Sequence, residues 1–326
     1  AASTSPSSVT PPKPARVGTV QVSDTVGEGL MSRKLPTVHL RPALELLSRV
    51  PKVAAAQPSI IDVGCKHGAS SKMLLDRFPS ARLHCLEACQ QHLDMAMADS
   101  ELSGRSLVSF VDKPANEYFM KASSGGSLFD LVFSSGSLRY RAPDLLDLLE
   151  RKLERVRPGG TLAVHMTAPS AQPSHLLLSE VAAELGLAQL VDDELEMLMT
   201  LPTPQAIADR LVGPLCGSVD MWSSTYVMTL GGEDAAYTYM RDGLLAADGY
   251  LPQLYATLGG ADSEAARGFD LVYRERLAAA YPQSRNGATL VPVTHFFMVG
   301  QRPSLLDVYS EYAAYHDHQL EKGWKS

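Results

Sequence analysis

Apolar residues recur at helical spacing through RPALELLSRVP, residues 41–51, and the run stops at a proline, so a helix is predicted there, leading into a first strand. SIIDV, residues 59–63, supplies that strand, and it enters a glycine turn, GCKHG. SSKMLLDRFP then reads as a second helix ending at Pro79, followed by the strand ARLHCLE and a further helical stretch, ACQQHLDMAMADS. SLVSFVD and SLFDLVFSS give a third and a fourth strand. DLLDLLERKLERV is an amphipathic helix ended by Pro158, Gly159 and Gly160, and TLAVHM is the fifth strand. Strands alternating with helices in this way predict an α/β fold: a doubly wound, mostly parallel sheet.

Beyond residue 170 the alternation gives way to helical segments, SHLLLSEVAAELG and PTPQAIADRLV, and a strand-like SSTYVMTL. A helix-rich stretch from Glu233 to Tyr281 and a last strand, THFFMVGQ, follow. The second half is therefore expected to complete the sheet and add a helical cap. Three units are expected: an extended low-complexity arm over residues 1–40, the α/β domain with its cap over 41–302, and a helical extension over 303–326. That extension carries Tyr309, Tyr312 and Tyr315 near one face.

Composition narrows the function. A net charge of -7 at pH 7 and a pI near 5.7 argue against a groove that neutralises many phosphates, so no nucleic-acid partner is expected. No apolar run approaches the ~20 residues of a bilayer span. Cys65, Cys85, Cys89 and Cys216 form no CxxC pair and point to no disulfide framework. With His67 and His84 they match no common zinc spacing either, so no metal is expected. The arm, rich in Ser, Pro, Thr and Ala, cannot build a core by itself, and a start of this composition suits the mature end left by an organellar transit peptide. Mitochondrial location is the expectation, with the cytoplasm as the alternative.

In a doubly wound sheet ligands bind beyond the carboxyl ends of the strands, where strand order reverses. Asp62, Gly64, Gly68 and Glu87 fall together there: glycines let backbone approach a ligand, and an acid closing the second strand can accept both hydroxyls of a ribose. The turn is not GxGxxG, so it is not a dinucleotide fingerprint. The spacing D-x-G-x-x-x-G, Glu87 and the later PGG resemble class I S-adenosylmethionine-dependent methyltransferases. RPALELLSRVP, PSHLLLSEVA at 173–182, LPTP at 201–204, VDMWSSTY at 219–226 and AAYPQSRNGATLVPVTHFFMV at 279–299 resemble the trans-aconitate methyltransferase family in particular. The resemblance covers roughly residues 41–302. It implies transfer of a methyl group to a carboxylate of a small polycarboxylic acid. That chemistry asks for alignment rather than a base, because the acceptor is already ionised at neutral pH. Arg139, Arg141, Arg241 and Arg274 are candidate carboxylate clamps, weighed against plain surface charges.

Three departures from the family pattern shape the expectation. Lys66 replaces the middle glycine of the turn. Pro114 stands where the family carries an acid for the adenine amino group, with Asp112 two residues earlier. MTAPSAQ replaces the amide-bearing segment before PSH. Lys66 and Pro114 are thus expected to disrupt a vestigial site, with an ammonium–carboxylate pair between Lys66 and Glu87 filling it. The leading expectation is a degenerate methyltransferase that serves as a structural accessory subunit of a mitochondrial assembly, ATP synthase or a respiratory complex. It would bind other protein subunits through the arm and the C-terminal helix and hold no cofactor. The alternative is an active S-adenosylmethionine-dependent carboxylate O-methyltransferase. A hydrolase reading has no GxSxG elbow, and the sequence gives no sign that Ser135, His165 and His175 form a triad.

Overall fold

A computed structural model describes residues 40–120, 127–136, 145–167, 173–188, 204–211, 216–241, 250–281, 283–304 and 306. The arm, Arg139, Arg141 and the tyrosines of the C-terminal helix lie outside the described residues. Seven strands form one sheet in the order β3-β2-β1-β4-β5-β7-β6. They are β1 (Ser59–Val63), β2 (Arg82–Glu87), β3 (Val108–Asp112), β4 (Phe129–Ser135), β5 (Val156–Thr167), β6 (Ser218–Leu230) and β7 (Thr289–Gln301). The first five run parallel to one another, while β7 runs antiparallel to both β5 and β6. Strand order reverses between β1 and β4, so the crevice beyond their carboxyl ends is where a ligand belongs.

Successive residues of a strand face opposite ways, and β1 feeds both layers: Ile60 joins a core under α1 (Leu40–Arg49), α2 (Ala69–Arg77) and α3 (Gln90–Ala98), while Ile61 joins a core under α6 (Leu145–Glu154). α1 buries Ala43, Leu46 and Leu47 as one stripe and leaves Leu44 exposed. Pro42, in its first turn, removes only an N–H that has no intrahelical partner. A third core, around Phe269, Tyr273 and Leu277 of the helix Glu264–Ala280, packs against α7 (Pro173–Glu184) and the far ends of β6 and β7. This is the helical cap.

Three elements differ from the reading of the sequence. Residues 115–120 form a short helix, Ala115–Met120, because Pro114 starts it and the Pro114 carbonyl accepts the Tyr118 N–H at 3.0 Å. β5 begins at Val156 and runs through Pro158, Gly159 and Gly160, with a register shift between Phe129 and Leu131 of β4 absorbing the bend. β6 and β7 are each 13 residues long and pair along their whole length, so both reach well beyond SSTYVMTL and THFFMVGQ. Among the described residues no helix is long and apolar enough to cross a membrane.

Candidate functional site

The glycine turn is anchored by the second strand, since the N–H groups of Gly64 and Cys65 both donate to the Leu86 carbonyl, at 2.7 and 3.1 Å. From there the backbone turns left-handed: Gly64 has φ 72, Lys66 φ 51 and Gly68 φ 87. Lys66 is the one non-glycine among the described residues with positive φ, a conformation that costs a residue with a Cβ about 1 kcal/mol. Lys66 thus sits in the left-handed region that glycine occupies without strain. Gly68 is required by space as well, because a Cβ there would stand 2.3 Å from Leu102 Cδ1. Its lack of a side chain lets the start of α2 close on the helices that follow β2.

Glu87 ends β2 with its carboxylate turned back to backbone. Oε2 accepts the Lys66 N–H at 2.9 Å, and Oε1 accepts the N–H groups of Ala88 and Cys89 at 3.0 and 2.9 Å. The expected ammonium–carboxylate pair is thus replaced by a backbone hydrogen bond. The Lys66 ammonium reaches the other way, to within 3.9 Å of the point where a Cβ on Gly136 would stand, beyond the end of β4. A carboxylate has about four acceptor positions, so Glu87 keeps room for one more donor.

Asp62 is fully buried. Its Oδ2 accepts the hydroxyls of Ser70 and Ser71, both at 2.7 Å, while Oδ1 meets no hydrogen-bond partner among the described residues. Burial pushes its carboxyl up to about 6 against the pull of the two serines. An orphaned buried acceptor beside a glycine turn suits the N–H or ammonium group of a ligand. Asp112 pairs in register with Glu87 at the adjoining strand end and is exposed, as is Pro114.

The other candidates are placed as follows. Arg241 lies over the Tyr237 ring, donates to its hydroxyl at 3.0 Å and meets Asp270 at 3.5 Å. Arg274 pairs with Glu233 and Asp234. Both arginines are thus engaged by groups of the cap itself. Cys65 and Cys85 are buried and Cys89 is exposed. His67 stacks on His92 with centroids 4.9 Å apart, and His84 packs edge-on against Phe129.

Ser135 and His165 do come together, with Oγ 3.1 Å from Nδ1, but the third member is not His175, which faces the Ser174 hydroxyl at 3.0 Å. It is His295 of β7, whose Nδ1 lies 2.6 Å from His165 Nε2. Reading the sequence missed His295 because the link depends on antiparallel register: His165 faces Phe297 and Thr167 faces His295, which makes the two histidines diagonal neighbours. A histidine within each of two long apolar strands, near the end of β5 and midway along β7, was the available signal.

Comparisons with known proteins agree with this geometry. Residues 60–160 match a family model described as a methyltransferase domain, which spans β1 to the start of β5 and holds the turn and Glu87. Trans-aconitate 2-methyltransferase of Streptomyces avermitilis is 30% identical over 263 residues, covering 80% of this chain and 91% of that protein. The Streptomyces coelicolor protein of the same name is 31% identical over 264 residues, covering 81% and 82%. That of Sinorhizobium fredii is 29% identical over 266 residues, covering 82% and 95%.

Proposed function

Since the chain belongs to the trans-aconitate methyltransferase family of class I S-adenosylmethionine-dependent methyltransferases, we propose that it is an active enzyme that methylates a carboxylate of a small polycarboxylic acid such as trans-aconitate. The observation that carries this reading is the turn after β1. It holds the left-handed shape at Lys66 despite the side chain, and it presents Glu87 with an acceptor position to spare. A site released from use has no reason to keep a strained residue in a ligand-ready form.

In this reading Glu87 takes a ribose hydroxyl, Gly64 and Gly68 let backbone approach the cofactor, and the free oxygen of Asp62 receives a donor from its amino-acid end. S-adenosylmethionine supplies a methyl group on a positively charged sulfur. The protein's task is then positioning: to hold an ionised carboxylate oxygen in line with that methyl group and keep water out. Pro114 removes an acid from the adenine side, which weakens the grip without reshaping the turn. The expectation of no cofactor gives way to S-adenosylmethionine.

A structural-subunit role, with other subunits bound through the arm and the C-terminal helix, rests on segments outside the described residues. Nothing in the described site favours it, and neither a mitochondrial location nor a place in ATP synthase gains support.

Calorimetric titration of S-adenosylmethionine, followed by assay of S-adenosylhomocysteine release with trans-aconitate, tests the proposal. Micromolar binding and acid-dependent release are expected. A chain that binds no S-adenosylmethionine, but gains binding with Lys66→Gly and Pro114→Asp together, would return the reading to a closed relic.

A further inference from the structure

Two histidines beside Glu87 have no part in the methyl transfer. His67 belongs to the glycine turn and His92 to the first turn of α3, and their rings lie face to face, with centroids 4.9 Å apart and planes 12° from parallel. Both residues are partly exposed, and the His92 side chain keeps 39% of its surface open, so protons from solvent reach the stack. Two positive rings in face contact repel each other. The stack therefore takes up a first proton well before a second and titrates as one unit.

That first proton belongs on His92. Burial, His92 and Lys66 together hold His67 below the ordinary imidazole range, against the pull of Glu87. His92 Nδ1 stands 4.0 Å from Glu87 Oε1, and the Glu87 side chain is only 10% exposed. The other titratable groups at this end among the described residues are Lys66 of the turn, Cys89 at the start of α3, Asp62 in β1 and Asp112, opposite Glu87 in register on β3. Lys66 repels a charge on the stack and the acids attract it. Glu87 is the carboxylate within ion-pair reach of either ring among the described residues. It already accepts two N–H groups on Oε1 and one on Oε2, so a single acceptor position is left. A cationic donor competes for that position more strongly than a neutral hydroxyl does.

We propose that the His67–His92 stack is an acid-operated switch on the ribose position of the cofactor site: with one proton aboard, His92 closes on Glu87 and the nucleoside is displaced, and without it Glu87 is open to a ribose hydroxyl. The proposal rests on the reading of Glu87 as the ribose acceptor and adds a control that the methyl transfer itself does not require. Protonation of the stack and binding of the nucleoside exclude each other. Affinity is therefore full above the pH at which the empty stack titrates and falls below it, with one proton released for each nucleoside bound.

Calorimetry in two buffers of different ionisation enthalpy, from about pH 8 to about pH 5, measures affinity and proton release together. The main probe is 5′-methylthioadenosine, which carries the ribose without the amino-acid end and so leaves Asp62 out of the measurement; S-adenosylhomocysteine is its companion. Affinity should be level at the upper end and then fall by up to about tenfold per pH unit, with release approaching one proton. His92→Gln should flatten this profile while keeping affinity near pH 8 within about threefold, and His67→Gln, which removes the repelling ring, should move the fall to higher pH. Without any ligand, the His92 ring followed by proton NMR should titrate at lower pH in Glu87→Gln than in the unaltered chain. Thermal unfolding at each pH establishes that each variant is folded. A level affinity for 5′-methylthioadenosine across the range, a fall that His92→Gln leaves unchanged, or a His92 titration that Glu87→Gln does not move would overturn the proposal. If S-adenosylhomocysteine binds and is released in turnover with trans-aconitate while the affinity for 5′-methylthioadenosine stays level, the cofactor reading stands and the switch falls. If neither ligand binds at any pH, both fall.

Discussion

Lys152 of α6 is fully buried, donates to the Ser134 hydroxyl at 3.1 Å and lies 5.7 Å from the centre of the Phe119 ring. Burial pulls its ammonium down to about 7 from an ordinary 10.5. The unfolded chain therefore holds more protons than the folded one between about pH 7 and 10.5, and this residue's contribution to stability rises with pH across that window. At and below pH 7 its cost is complete, on the order of a few kcal/mol. Lys152→Met should stabilise the protein, most at pH 6 and hardly at all near pH 10.5, in denaturant titrations run at both values. Lys66 invites a second test. Glycine relieves the left-handed strain but adds freedom to the unfolded chain, so Lys66→Gly should raise stability by about 0.5–1 kcal/mol. A loss of stability would mean that the Lys66 side chain contributes more than its backbone costs.

Glu45 shows how one residue joins two elements. On α1, it accepts Trp222 Nε1 and Ser224 Oγ, each at 2.7 Å, together with the Tyr226 hydroxyl, so three residues of β6 are tied to one helix. Burial pushes its carboxyl up, but these bonds and Arg49 outweigh it, and the net shift is downward. Its stabilisation is present above the ordinary glutamate range and fades as pH falls through the lowered value. Glu45→Ala leaves three donors without their acceptor and should cost about 1–3 kcal/mol, read as a lower unfolding midpoint at pH 7. Gly68→Ala should cost about 2–3 kcal/mol, from positive φ and from crowding against Leu102.

Elements of this kind were legible in the sequence where local pattern decides them. SIIDV, ARLHCLE and the helix between them follow from apolar spacing and breakers, whereas the cap was legible only as a helix-rich stretch from Glu233 to Tyr281, without the bounds of its helix Glu264–Ala280. The Glu45 cluster and the His165–His295 contact were not, because each joins residues more than a hundred positions apart through strand register. Lys66 was legible as a departure, but its consequence was not. Whether a lysine blocks a turn depends on where its ammonium goes, and here it lies near Gly136, just past the end of β4 and seventy positions away in the chain.

Over the whole molecule, ligand binding should report itself as stability. S-adenosylhomocysteine at a hundred times its dissociation constant should add about 2.7 kcal/mol and raise the unfolding midpoint by a few degrees. Glu87→Ala should remove that shift and also lower the ligand-free midpoint, since the buried carboxylate accepts three backbone N–H groups that the variant leaves without an acceptor. A scan with and without ligand checks both.

The placement of β7 between β5 and β6 has a further consequence, for synthesis. Residues 59–167 supply five strands in the order they leave the ribosome, yet β5 stays an open edge until residues 289–301 arrive more than a hundred positions later. For that interval TLAVHM presents unpaired backbone on one side, a template for adding a strand from another molecule. Chains cut short before residue 289 should therefore collect in insoluble form.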